Sequence, residues 1–257
     1  MNTIVLGALA SLGAGLMTAV GALPVLFGHT IGIRAQDILL GFAAGVMLAA
    51  SFFSLIIPAI EYASAAGEGS LIPALIGVAG VALGAGAMAL ADMLVPHWHP
   101  VQGHQGPDSP MLGKVWLFIA AITIHNFPEG LAVGVGFAGG DSAGGSALAI
   151  GIGLQNLPEG LAVAVALIAI GRSRITGFAV GALTGLIEPI GGLLGVGVAV
   201  LFEPLLPWAL AFAAGAMIFI VSHEIIPETH SRGFQRQATG GLVAGLVLMM
   251  FLDVALG

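Results

Sequence analysis

Long apolar runs separated by short polar breaks make up almost the whole chain. Eight runs reach or approach the roughly 20 apolar residues that a bilayer-spanning helix needs at about 1.5 Å per residue. They are 4–27, 38–60, 71–94, 115–137, 143–170, 175–201, 205–227 and 237–256. The last is the weakest, because its uncharged stretch is short and Asp253 falls within its final turn. The pattern predicts an all-α polytopic membrane protein: one domain over 1–257 with eight transmembrane helices. The longest break, 95–114, contains Pro, Gly and His97, His99 and His104 and is expected to be a flexible loop.

The breaks orient the chain. Arg34 lies in 28–37, Lys114 in 95–114, Arg172 and Arg174 in 171–174, and Arg232 and Arg236 in 228–236. The alternate breaks 61–70, 138–142 and 202–204 carry no Lys or Arg. Basic loops stay in the cytoplasm, so both termini are expected outside it, and the His-containing loop inside. No basic residues precede the first apolar run, which is therefore read as a span and not as a cleaved signal peptide.

Composition agrees with this class. Of 257 residues 58% are hydrophobic and only 7% charged, and mean hydropathy is +1.08; a soluble domain is usually about 25% charged. The 41 Gly suit helices packed closely through small residues. Six basic residues scattered through short loops give no footprint for nucleic acid. Cysteine is absent, which removes disulfides and thiolate metal ligands.

Against this background two near-copies of one phrase stand out, one in the fourth apolar run and one in the fifth. They are His125-Asn126-Phe127-Pro128-Glu129-Gly130-Leu131-Ala132-Val133 and Gln155-Asn156-Leu157-Pro158-Glu159-Gly160-Leu161-Ala162-Val163. A charged residue at a bilayer centre costs at least about 2.5–3.5 kcal/mol, so each glutamate needs a compensating partner. Positions three and four apart share a helix face. His125, Asn126 and Glu129 therefore project together, as do Gln155, Asn156 and Glu159. Pro128 and Pro158 each open the backbone ladder one turn back, and a freed carbonyl is tolerated in a membrane where it lines a cavity or meets a partner.

A third acid, Glu188, lies in the next run. Counted from the cytoplasmic ends, Glu129, Glu159 and Glu188 lie at similar depths, roughly 17–21 Å. Three converging anions would repel, and their affinity for protons would rise. One or two divalent cations remove the conflict. Imidazole and amide groups beside the carboxylates suit a transition metal better than Ca²⁺ or Mg²⁺. A lone intramembrane Glu can instead be protonated as a packing element, and a lone His can be a satisfied core residue.

The doubled phrase and its placement resemble the signature of the ZIP (Zrt/Irt-like) metal-ion transporters, in particular the bacterial GufA-like branch, over essentially the whole chain. The resemblance implies a binuclear metal site. One ion would take His125, Glu129, Gln155 and Glu159, and the other Asn126, Glu129, Asn156, Glu159 and Glu188, with the two glutamates of the paired phrases bridging. Many members have His where this chain has Gln155. Met47 matches a position of close relatives where a thioether reaches the first ion; it is equally a candidate packing residue. Ser54 follows two turns later on the same face. The resemblance also implies an inverted repeat of helices 1–3 and 6–8 around helices 4–5, and a mobile bundle of helices 1, 4, 5 and 6 working against 2, 3, 7 and 8. A homodimer in a bacterial inner membrane is the corresponding expectation.

A second constellation falls on the cytoplasmic side. His223 and Glu224 end the seventh run, His97 and His99 lie in the 95–114 loop, and Asp92 closes the third run. His97, His99, His223 and Glu224 suggest an exit or regulatory metal site, with solvated loop histidines as the alternative; Asp92 either joins this group or caps local structure. Opposite them, Glu61, Asp141, Glu203 and Asp253 are candidates to concentrate cations at the mouth. The function expected is passage of Zn²⁺, or of Cd²⁺, Fe²⁺, Mn²⁺ or Co²⁺, towards the cytoplasm. An intramembrane metallopeptidase would need H-E-x-x-H; His223-Glu224-Ile225-Ile226 is followed by Pro227, so that site lacks its second His, and the chain is not expected to be an enzyme. A metal-selective channel or a metal sensor would use the same ligands.

Overall fold

In a computed structural model the chain is described over residues 2–29, 31–65, 71–94, 97–99, 103–105 and 114–256. Eight long helices dominate: α1 Thr3–Phe27, α2 Ile33–Ala65, α3 Leu71–Leu94, α4 Lys114–Ala138, α5 Ser142–Ala169, α6 Arg174–Leu201, α7 Glu203–Thr229 and α8 Gln235–Leu256. Among the described residues, all but α4 are long and apolar enough to cross a membrane. Helix α4 has 25 residues, with Pro128 inside it.

Local chemistry sets the helix ends. Asn2 caps α1 by accepting from the Ile4 N–H. Asp141 caps α5 by accepting from Ala143 and Gly144, and Ser173 caps α6 by accepting from Thr176. These side chains replace intrahelical acceptors that the first turn lacks. Gly28 and Gly171 end α1 and α5 at φ of 83° and 82°, a conformation that costs glycine little. Helix α2 begins at Ile33, earlier than its apolar run, because Arg34, Gln36 and Asp37 extend it with polar residues. Asp37 is buried there, with Arg232 Nη1 at 3.6 Å.

Two helices widen into π-helical turns, α2 over Ala50–Ile56 and α7 over Val221–Ile225. Pro58 and Pro227 lie just beyond, each withdrawing an N–H from the ladder. Such widened turns are frequent at functional sites. The 95–114 connection, expected to be flexible, holds two short antiparallel strands, β1 His97–His99 and β2 Gly103–Gln105, with Trp98 opposite His104. Strand β1 runs beside α4.

The most extensive helix pairings are α2 with α8, α3 with α7, α4 with α6 and α1 with α5. Glycine makes them possible. A Cβ on Gly45 or Gly41 would run into the α8 backbone, and one on Gly245 or Gly241 into α2. Gly84 and Gly215 do the same between α3 and α7, Gly130 and Gly191 between α4 and α6, and Gly21 and Gly160 between α1 and α5. Gly15 and Gly185 meet at the α1–α6 crossing. These pairs join α1, α4, α5 and α6 into one group and leave α2/α8 and α3/α7 as two further pairs, which meet each other along α2 and α7. From that group to the other helices the close approaches at glycine are to side chains: Gly151 faces the Met249 sulfur, and Gly139 faces the Tyr62 ring. Large apolar side chains such as Leu75, Val78, Val247 and Phe251 point outward, whereas Glu129, Glu159 and Glu188 are buried. That inversion of the soluble pattern is what a lipid solvent demands.

Candidate metal centre

The two proline-containing phrases occupy the middles of α4 and α5, and Glu188 follows the tight turn Gly185–Ile187 inside α6. All seven side chains expected as ligands by the binuclear reading are at most 3% exposed. Their neighbours are specific. The Ser11 hydroxyl donates to the Glu188 backbone carbonyl at 2.8 Å. Asn156 Nδ2 donates to Glu188 Oε1 at 2.8 Å and to the Ala14 carbonyl at 2.9 Å. Gln155 Nε2 donates to Asn156 Oδ1 at 2.8 Å.

Much of the centre lacks donors. Both Glu129 oxygens, Glu159 Oε2, Glu188 Oε2, Gln155 Oε1 and both polar atoms of the Asn126 side chain are buried without a hydrogen-bond partner. An unsatisfied buried polar group costs about 1–3 kcal/mol, and more if charged. Concentrated in one place, such atoms call for a ligand; carboxylate and amide oxygens without donors fit a cation. The centre is not preassembled: among the described residues, no three His, Asp or Glu side chains are placed to share one metal ion. The imidazole is engaged elsewhere, since His125 Nε2 lies 2.7 Å from Glu224 Oε2.

That contact joins two clusters read separately in the sequence. Glu224, expected beside the loop histidines, reaches the central imidazole from the π-helical turn of α7. Its neighbour His223 lies 3.6 Å from Asp92 Oδ2 and stacks on Phe219. The side chains of His97, His99 and His104 lie outside the described residues. On the opposite end of the molecule, Ser54 donates to Asp253 Oδ1 at 2.7 Å. Both line a cavity of about 240 Å³ that Glu61, Asp141 and Tyr62 also line; Glu203 lines a different one. Met47 is fully buried in the main apolar cluster.

Ser11, Thr18 and Asp37 are buried polar residues that escaped the sequence reading. Ser11 and Thr18 of α1 are small hydroxyls in an apolar run, which carry no charge signal. Asp37 does carry one, but Arg34 and Gln36 beside it made the segment read as a loop.

Eight packed helices with outward apolar faces and carboxylates buried at their crossing define a polytopic helical membrane protein with a charged interior. The family description "ZIP Zinc transporter" matches residues 102–253. The chain is 47% identical over 251 residues to the zinc transporter GufA of Myxococcus xanthus, covering 98% of this chain and 99% of that one. It is 49% identical to the zinc transporter ZIPB of Bordetella bronchiseptica over 98% and 81% of the two chains. It is also 35% identical to the zinc transporter ZupT of Chlorobium phaeovibrioides over 97% of each. The chain belongs to the ZIP zinc transporter family, as the doubled phrase indicated.

Proposed function

We propose that the protein carries Zn²⁺ across the membrane towards the cytoplasm through a binuclear site. His125, Glu129, Gln155 and Glu159 hold one ion, and Asn126, Glu129, Asn156, Glu159 and Glu188 hold the other. The observation that carries this reading is the concentration of buried oxygens without donors in these residues. Their chemistry suits a borderline metal that must also be released, since none is a thiolate. The names of the relatives support zinc as cargo.

All eight long helices span the bilayer in this reading, with both termini outside the cytoplasm and an inverted repeat of α1–α3 and α6–α8 around α4 and α5. The matched helix pairings support the repeat: α2–α8 corresponds to α7–α3, and α1–α5 to α6–α4. Inverted repeats with interrupted helices at mid-depth are a common transporter plan. An elevator motion of α1/α4/α5/α6 against α2/α3/α7/α8 is supported by the different character of the contacts. Backbones touch at the glycines within α1/α4/α5/α6, whereas the glycine contacts from that group to the other helices, Gly151 with Met249 and Gly139 with Tyr62, are to side chains. The His125–Glu224 pair bridges the groups, so it must break as they move.

Zn²⁺ uptake into proteoliposomes tests this reading. Saturable uptake supports a carrier; uptake that stays linear in concentration sinks it in favour of a channel. Glu188→Ala is expected to remove only the second ion, read as bound Zn²⁺ per chain falling from two to one; loss of both ions redraws the two ligand sets. Glu224→Gln weakens the competing partner of His125. Zinc is then expected to bind about three- to tenfold more tightly, the range of one ordinary hydrogen bond. Unchanged affinity in equilibrium dialysis would mean that His125 is not a ligand.

A further inference from the structure

The tight crossings carry a regularity in the chain numbering. Gly15 and Gly185 each present a carbonyl to the place where the other's Cβ would stand. Gly160 abuts the Thr18 carbonyl as Gly130 abuts that of Glu188. Gly21 abuts Leu157 as Gly191 abuts Phe127. One constant offset thus carries α1 into α6, taking Gly15 to Gly185, Thr18 to Glu188 and Gly21 to Gly191. A second constant offset carries α4 into α5, taking Phe127 to Leu157 and Gly130 to Gly160. The exchange swaps Asn126 with Asn156 and Glu129 with Glu159, and it swaps Glu188 with Thr18.

Thr18 is also chemically singular. Six Ser or Thr are buried among the described residues, and the hydroxyls of five have a partner. Ser51, Thr184 and Thr229 return theirs to a carbonyl three or four residues back, whereas Ser11 and Ser54 bond across helices. Thr18 Oγ1 is buried with none. The acceptor one turn back, the Ala14 carbonyl, takes the amide of Asn156 instead. A helical Thr can make that backbone bond; its absence leaves a free hydroxyl against Gly185, one turn before Glu188, while the Thr18 backbone lies against Gly160, next to Glu159.

We propose that Thr18 is a specificity-determining ligand: its hydroxyl oxygen completes the shell of the second ion at the position related to Glu188. The inference rests on the binuclear reading. With Thr18 the second ion's set becomes closed under the exchange, two asparagines, two glutamates and the Glu188–Thr18 pair, and therefore surrounds the pseudo-twofold axis. The substitution of hydroxyl for carboxylate has a purpose. Three carboxylates against two divalent ions leave the loaded centre with an excess positive charge, which favours release. A fourth would neutralise it and hold the cargo.

Equilibrium dialysis of the purified full-length protein with Zn²⁺, read as bound metal per chain, tests this with Thr18 variants and with Glu129→Ala. Thr18→Val keeps shape and removes the oxygen; the second ion is expected to weaken about tenfold, with the first unchanged. Thr18→Ser should restore wild-type binding, which a packing role for the β-branch would not. Thr18→Asp should tighten the second ion and slow uptake. Wild-type affinities for both ions in Thr18→Val overturn the proposal, as does equal weakening of both. If the valine variant fails to fold, Thr18→Ala replaces it with the same expectations. Glu129→Ala separates the two levels: if it binds two ions normally, the binuclear reading itself fails, whatever Thr18 does.

Discussion

Glu129→Ala abolishes zinc uptake, lowers binding of both ions, and leaves the metal-free protein at least as stable as the wild type. The first two effects follow from position: in the proposed site Glu129 bridges, so both shells lose a charged oxygen. Losing even an outer-shell partner of a metal ligand typically costs 10–100-fold in affinity, and a bridging carboxylate should cost at least about 100-fold. The third effect follows from the surroundings. Both Glu129 oxygens are buried without a donor, and an intramembrane charge costs at least about 2.5–3.5 kcal/mol. Replacing it by a methyl group removes that cost and leaves no donor orphaned. Zinc should raise the melting temperature of wild type by mass action, about 2.7 kcal/mol at a hundredfold excess over Kd, and should not raise that of the variant. Thermal unfolding in detergent with and without Zn²⁺, beside proteoliposome uptake, checks all three. A variant that transports normally refutes the site. A variant that unfolds early without metal would mean that Glu129 holds the helices together, in which case loss of uptake would say nothing about ligands.

Legibility in the sequence followed the size of the energetic signal. A carboxylate in an apolar run is expensive, so Glu129, Glu159 and Glu188 were conspicuous, and repetition of the phrase identified the family. Helical runs were legible where lipid-facing residues made them uniformly apolar, and less so at the start of α2. There Arg34, Gln36 and Asp37 belong to the helix because Asp37 pairs with Arg232, a partner near the far end of the chain. The contact between His125 and Glu224 was not legible, since it depends on how α4 lies against the widened turn of α7. The inverted repeat entered only through the family resemblance, although residues that carry it are in plain view. Phe42-Ala43-Ala44-Gly45 recurs as Phe212-Ala213-Ala214-Gly215, at the same offset that takes Gly15 to Gly185. Small apolar residues are so common here that a four-residue match carries little weight. It gains meaning once Gly84 is seen against Phe212 and Gly245 against Phe42.

Gly160→Val lowers the yield and melting temperature of the folded transporter, whereas Gly13→Ala, on the same pair of helices, is tolerated. A Cβ at Gly160 would overlap the carbonyl oxygen and carbon of Thr18 and press tightly on its Cα. These are backbone atoms of α1, so no rotamer change relieves the overlap; the helices themselves must separate. Overpacking a well-packed interior costs about 1–3 kcal/mol, occasionally more, and an immovable obstacle belongs at the upper end. Separation would also draw Ala14 away from the amide of Asn156, since that bond ties α1 to α5 at the proposed metal centre. The damage would therefore reach the site even in the fraction that folds. Gly13 has open space where its Cβ would stand, and it is exposed. Alanine there adds no overlap, and helix propensity favours it by about 0.8–1 kcal/mol. Yield of monodisperse protein after detergent extraction, together with its melting temperature, compares the pair. A Gly160→Val protein with wild-type yield and melting temperature would mean that α1 and α5 can part freely. The α1/α4/α5/α6 group could not then move as one body, and the elevator reading would fall with it.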